Sequence, residues 1–173
     1  MPHILRACVV VLILVAGAVA AEPTMKRFIS DEGRFSVALP GEPRAEREEV
    51  RSADGKGVTV LHEFSVNTEP HVFYMVTYSD PPEDEVIADA QGRLDEIAAN
   101  ATRGSKILSD KKISLGGVPG RALVYRDEKN QSFDQRVYIA GNRIYVLSVM
   151  RPHGVSPKHA HEFLESFRIA RRK

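Results

Sequence analysis

The residues of this chain best suited to chemistry are five histidines and one glycine-rich loop. His62, His71, His153, His159 and His161 follow the opening apolar stretch, and zinc would take three imidazoles. Their spacing argues otherwise. His159 and His161 are two apart, so on a helix they leave from different faces, whereas a chelating helical pair needs three or four residues between ligands. His161 and Glu165 do have that spacing, as ordinary surface ion pairs also do. His62 lies between Val60 and Phe64 on an apolar strand face, where a hydrogen-bonded core histidine is expected rather than a base. The chain has no Gly-x-Ser-x-Gly elbow and no His-Glu-x-x-His, the local signatures of acyl-transfer and zinc hydrolases. The reading assigns no catalytic, cofactor-binding or metal-binding residue, and no cofactor.

The loop Leu115-Gly116-Gly117-Val118-Pro119-Gly120 invites comparison with phosphate-cradling loops. Those loops run from a strand into a helix whose N-terminus receives the anion. This one runs into another strand, and Pro119 removes a backbone donor, so a turn is expected. The basic residues Arg168, Arg171, Arg172 and Lys173 lack an apolar anchor for a membrane. Their expected place is around the carbonyl end of a helix and the end of the chain. Ala88, Gly92 and Ala99 make a small-residue strip. Gly92 costs about 1 kcal/mol relative to alanine inside a helix, a cost that close approach of a partner or plain tolerance would each explain. Asn100-Ala101-Thr102 and Asn130-Gln131-Ser132 match the glycosylation sequon, which matters only in a host that glycosylates exported proteins.

Residues 8–20 are an unbroken apolar run with Arg6 in front and small residues behind, the pattern of a secretory signal peptide. Cleavage is expected after Ala20 or Ala21. The run is short of the roughly 20 apolar residues that span a bilayer, so no transmembrane segment is expected once it is removed. The sole cysteine, Cys8, lies inside it, which leaves the exported chain without disulfide, thiolate metal site or cysteine nucleophile. Removing residues 1–21 leaves 23 basic and 23 acidic side chains. Such a balance excludes the basic excess by which nucleic-acid binders release counterions. The expected locale is periplasmic or extracellular. The division is signal peptide 1–21, a short polar lead 22–27 and one domain over 28–170, a size that buries a single core.

The elements that must position these residues are mostly strands. Phe35, Val37 and Leu39 alternate up to Pro40-Gly41. Residues 45–51 and 58–66 read as hairpin arms around Ala53-Asp54-Gly55-Lys56-Gly57; Val58, Val60, His62, Phe64 and Val66 share one face and Thr59, Glu63 and Ser65 the other. Segments 72–79 and 144–150 are apolar on both faces and so predict cover on both sides. Further strands are expected at 106–115, 120–127, 132–140 and 143–150, with turns at Gly116-Gly117, Lys129-Asn130 and Gly141-Asn142. One helix is expected over 83–101, with the stripe Val86, Ile87, Ala90, Leu94, Ile97, Ala98 and Ala101, and with Glu83, Asp84 and Glu85 in its first turn. A second should start at Ser156-Pro157 and bury Ala160, Phe163, Leu164 and Phe167. Short turns between neighbouring strands make them antiparallel, and the class α+β, an antiparallel sheet sandwiched between helices.

Four stretches carry a resemblance in their order: Asp31 to Pro43, Leu115 to Arg121, Arg136 to Leu147 and Phe163 to Phe167. Together they resemble the exported bacterial domains of the PsbP/Mog1-like group. The resemblance implies an antiparallel sheet between helices, and binding rather than catalysis. Its named members are an extrinsic subunit of the photosystem II oxygen-evolving complex and a regulator that binds the small GTPase Ran. None of the four stretches is a binding or catalytic motif, so no functional residue carries over. The expected function is a non-enzymatic extracytoplasmic domain that binds another protein or a membrane-associated complex. The alternatives are a small-ligand or metal-binding domain using a cleft between sheet and helix, and a hydrolase whose site only folding assembles. A protein-binding surface would show exposed aromatics, with Tyr74, Tyr78, Tyr138 and Tyr145 the candidates. A ligand binder would show a pocket with a few converging polar groups.

Overall fold

The computed structural model describes residues 24–51, 57–68, 71–82 and 85–170. The expected signal peptide with Cys8, Ala20 and Ala21, the turn residues 53–56, Glu83 and Asp84, and the basic end 171–173 lie outside the described residues.

The elements in chain order are β1 (Lys26–Ser30), β2 (Phe35–Leu39), β3 (Arg44–Arg51), β4 (Val58–Thr68), β5 (Val72–Asp80), α1 (Ala90–Ala101), β6 (Lys106–Leu115), β7 (Val118–Arg126), β8 (Gln131–Ala140), β9 (Arg143–Pro152), α2 (Ala160–Ser166) and β10 (Arg168–Ile169). Seven strands form one antiparallel sheet in the order β3-β4-β5-β9-β8-β7-β6, and β1-β2-β10 form a second, smaller one. The α+β class and the antiparallel sheet agree with the reading of the sequence. The second sheet does not appear in that reading. β1 takes Lys26 and Arg27 from the expected polar lead 22–27, and β10 is two residues long.

Alternation decides which side chains enter the core. On one face of the large sheet Val72, Tyr74, Val76, Tyr78, Tyr145, Leu147 and Val149 pack with Phe163 and Phe167 from α2 and its end, and with Phe35, Val37 and Leu39 of β2. On the opposite face α1 lays Leu94 against Val137 and Ile139, and Ala98 against Leu123 and Tyr125. The layers are therefore α1, the large sheet, then α2 with the small sheet. α1 covers β7 and β8 and leaves Phe73 and Met75 of β5 half-buried, so cover on the second face of that strand is partial where full cover was expected. Gly120 shows how close the packing is: a Cβ there would come within 2.5 Å of the Tyr138 ring and 2.6 Å of the Val137 carbonyl oxygen.

Both helices start later than the sequence suggests. Asn142, in the β8–β9 turn, accepts from the Ile87 N–H at 2.8 Å and donates to the Glu85 carbonyl at 2.8 Å. It mimics a strand neighbour and holds this segment out of the helix. The helix begins after Asp89, whose carboxylate accepts from the Gly92 N–H at 2.9 Å and supplies the N-cap. α1 thus spans 90–101 rather than 83–101, and Glu85 precedes it. The nearest atom to a Cβ built at Gly92 is a cap oxygen of Asp89, 2.4 Å away, which gives that glycine a local reason and no partner. In the second helix the Pro157 carbonyl accepts from the Ala160 N–H in a turn. The helix therefore starts at Ala160 after His159, and not at Ser156-Pro157. Ser166 fastens it to β2: its Oγ accepts from the Ala38 N–H at 2.8 Å and donates to the Phe163 carbonyl at 2.8 Å.

Candidate functional site

One end of the large sheet and the small sheet enclose a cleft of about 1090 Å³. The end of β5, the β6–β7 turn, the β8–β9 turn and β10 meet there, with Arg34 entering from the turn before β2. Gly116 and Gly117 take φ of 58° and 90°, the left-handed values that two-residue hairpin turns demand. The glycine loop is a turn, as expected. Its Gly116 lines the cleft together with Leu115, Val118 and Ile169.

Three arginines and one aspartate supply the charge. Arg143 grips Asp80 through both carboxylate oxygens, Nε to Oδ1 at 2.8 Å, and donates a third bond to the Glu32 carbonyl at 2.7 Å. Its guanidinium sits 4.7 Å from the centre of the Tyr78 ring, a cation–π distance. The hydrogen bond from Arg143 holds the Asp80 carboxyl below its ordinary range, and the charges of Arg34 and His62 act in the same direction. Arg168 donates to the Glu165 and Phe167 carbonyls at 2.6 and 2.7 Å. It does meet the carbonyl end of α2, as expected of the basic end, and it lines the cleft as well. Arg34 has φ of 54°, and its carbonyl accepts from the Ala170 N–H at 2.8 Å. Neither Arg34 nor Arg168 has a carboxylate partner among the described residues. The cleft therefore holds two guanidinium charges beyond the one that Asp80 neutralises.

The turn before β2 is fixed from below. Tyr145 donates to the Gly33 carbonyl at 2.8 Å from a buried position. His62 stacks on Tyr78 with ring centres 4.3 Å apart and planes 7° from parallel, and its Nε2 lies 3.8 Å from the Glu32 carboxylate. The core histidine expected at 62 is thus a stacked support at the edge of the core. Burial first, then the negative charge of Glu32, pushes the Tyr78 hydroxyl up to about 12. That hydroxyl is shut off from solvent.

The other candidates disperse. His71, His153 and His161 are exposed at separate places, and no three His, Asp or Glu side chains converge among the described residues. Glu165 pairs with Arg136 of β8 rather than with His161, and that bond holds its carboxyl low. Ser109 and Lys112 satisfy a Ser-x-x-Lys spacing, but they lie on β6, where residues three apart point to opposite faces. Tyr74, Tyr78, Tyr138 and Tyr145 are all 3% exposed or less. The aromatic surface that they were candidates for does not exist. Both sequon asparagines, Asn100 and Asn130, are exposed.

Of the cleft lining, the sequence marks the glycine loop, as a turn, and Arg168, as part of the basic end; none of its arginines is marked there as a site. Arg34, Arg143 and Arg168 stand far apart in the chain, beside turns, with no spacing that marks them. Only fold-level pairing brings them together.

No family model matches the chain, and no curated protein matches it. Among solved structures it is similar to the cyanobacterial PsbP, CyanoP, from Synechocystis sp. PCC 6803. The TM-score is 0.53 at 13% identity, over 90% of this chain and 98% of that one. The fold is PsbP-like. A protein of unknown function from Pseudomonas aeruginosa, PA94, described as a putative regulator, superimposes with a TM-score of 0.38 at 14% identity, over 82% of this chain and 92% of that one. Within the PsbP-like fold the cleft is defined by this chain's own side chains, and shared architecture does not assign it a role.

Proposed function

We propose that this chain is an exported, non-enzymatic binding domain whose ligand occupies the Arg34–Arg143–Arg168 cleft. The observation that carries the reading is the lining: three guanidinium groups beside apolar walls, with no nucleophile and base in reach of each other among the described residues. Asp80 is committed to Arg143, Asn142 to the 85–87 segment and the Tyr145 hydroxyl to Gly33. These three polar groups are engaged in holding the walls. A pocket of this size with a few convergent polar groups is the form that small-molecule and peptide sites take.

A second reading, a protein partner on the sheet face that α1 leaves open, is favoured by half-buried Phe73, Met75 and Met150. Photo-crosslinking separates the two. A diazirine side chain placed at Ala170, at Met75 or at Glu46 on the far edge is irradiated in cells, and the adducts are read by mass. Adducts from Ala170 that disappear when Arg34 and Arg168 are both replaced support the cleft. Adducts only from Met75 overturn it in favour of the open face, and equal adducts from Glu46 overturn both.

A further inference from the structure

We propose that the ligand of this cleft is a phosphate monoester carried on an apolar body; the inference rests on the cleft being the binding site. Charge sets the head group. Arg143 is paired with Asp80, and Arg34 and Arg168 line the same cleft with no carboxylate in ion-pair contact among the described residues. A carboxylate would balance one of them, whereas a phosphate monoester carries about −1.5 to −2 at neutral pH. Both cations are arginines, whose planar fork matches the oxygens of a phosphate two at a time. The Arg168 NH1 nitrogen is used on carbonyls, and the rest of that guanidinium has donors to give.

Size and lining set the body. A cleft of about 1090 Å³ lies just above the range of drug-sized pockets, roughly 300–1,000 Å³, far beyond the needs of an inorganic ion. Leu115, Val118, Ala140 and Ile169 give it apolar walls. On the other side of β10 a second hollow of about 290 Å³ shares Arg34, Arg168 and Ile169, and adds Arg27 and Ile29, with Asp31 as its one acid. Arg34 and Arg168 therefore face both hollows. Among the described residues two further acids lie near these cations: Glu32, whose carboxylate is 3.8 Å from His62 Nε2, and Glu165, which is paired with Arg136.

Calorimetric titration with hexyl phosphate, hexanoate and inorganic phosphate tests the assignment. Hexyl phosphate is expected to bind at least tenfold more tightly than either of the others, and to weaken as salt rises. Arg34→Gly relieves a left-handed backbone angle while it deletes the guanidinium, and Arg168→Gln keeps most of the side chain. Each should weaken hexyl phosphate at least fivefold. Arg34→Lys keeps the charge and loses the fork, so an intermediate loss is expected from it without any question of folding. Hexanoate binding as well as hexyl phosphate overturns the head group. Inorganic phosphate binding as well as the ester overturns the apolar body. Affinity unchanged in the arginine variants overturns the location. If hexyl phosphate does not bind while the crosslinks at Ala170 still depend on the arginines, the ligand class fails and the cleft as binding site stands. Vesicles containing phosphatidic acid, set against soluble hexyl phosphate, separate a lipid head group from a free ester: retention on the vesicles with the same arginine dependence assigns the ester to a lipid.

Discussion

Tyr78 is the residue at which core and cleft meet. Its ring takes His62 and Arg143 as neighbours, and its hydroxyl is shut away from water beside the Glu32 charge. Deprotonation there would create a phenolate in a buried, partly negative setting, so the folded state keeps the proton. The other four tyrosines are also raised, each chiefly by burial. In the unfolded chain all five ionise near pH 10. A group raised in the folded state stabilises fully below its unfolded value, and that contribution is lost as pH rises through the folded value. Stability should therefore hold up to pH 10 and fall between 10 and about 12, the level to which Tyr78 is pushed. Absorbance at 295 nm should show little tyrosinate in the native protein at pH 10.5, with its appearance coinciding with loss of near-ultraviolet circular dichroism. Free ionisation at pH 10 with the fold intact would show that the hydroxyls reach water.

At the level of elements, the strands were legible and the segments held by distant partners were not. β5 and β9 alternate apolar residues on both faces, and glycine turns mark the ends of the hairpins, so the local pattern sufficed to place them. β1 turns only Phe28 of its five residues into the apolar core, and β10 is held by pairing with β2 rather than by any pattern of its own. The segment before α1 is held by Asn142, more than fifty residues away in the chain, and a run of acids before an apolar stripe reads as a first turn until that asparagine is seen. The cleft was illegible for the same reason, because its charges are brought together only by strand order. Asn142→Ala tests this account. It orphans the part-buried Ile87 N–H and frees the Glu85 carbonyl, at a cost of about 1–3 kcal/mol. The denaturant midpoint should fall with the slope unchanged, and the Ile87 amide should lose its protection from exchange. Far-ultraviolet helicity should stay, since the Asp89 cap is local. A loss of helix instead would mean that the pinned segment nucleates α1.

At the scale of the whole molecule, the large sheet ends in two edge strands, β3 and β6, and each is defended. β3 exposes all eight residues of Arg44–Arg51, alternating in charge through Glu46, Arg47 and Glu48. β6 carries Lys106, Lys111 and Lys112, and its register shifts between Ile107 and Ser109. Charged side chains and bulges on edge strands are the usual means of refusing another copy. Ile107 and Leu108, each 50% exposed, sit at that irregularity, where a flat partner strand cannot follow. The chain should therefore sediment as a monomer at tens of micromolar. The β3 edge is the longer regular one, so its refusal rests on charge alone. Replacing Glu46 and Glu48 with valine leaves the backbone edge as it is and removes the acids from one face of it. Concentration-dependent dimers are expected in sedimentation velocity for that variant, with crosslinks mapping to β3. A monomer that persists without those acids would place the refusal in the shape of the edge, and a wild-type dimer would mean that one of the two edges is already an interface.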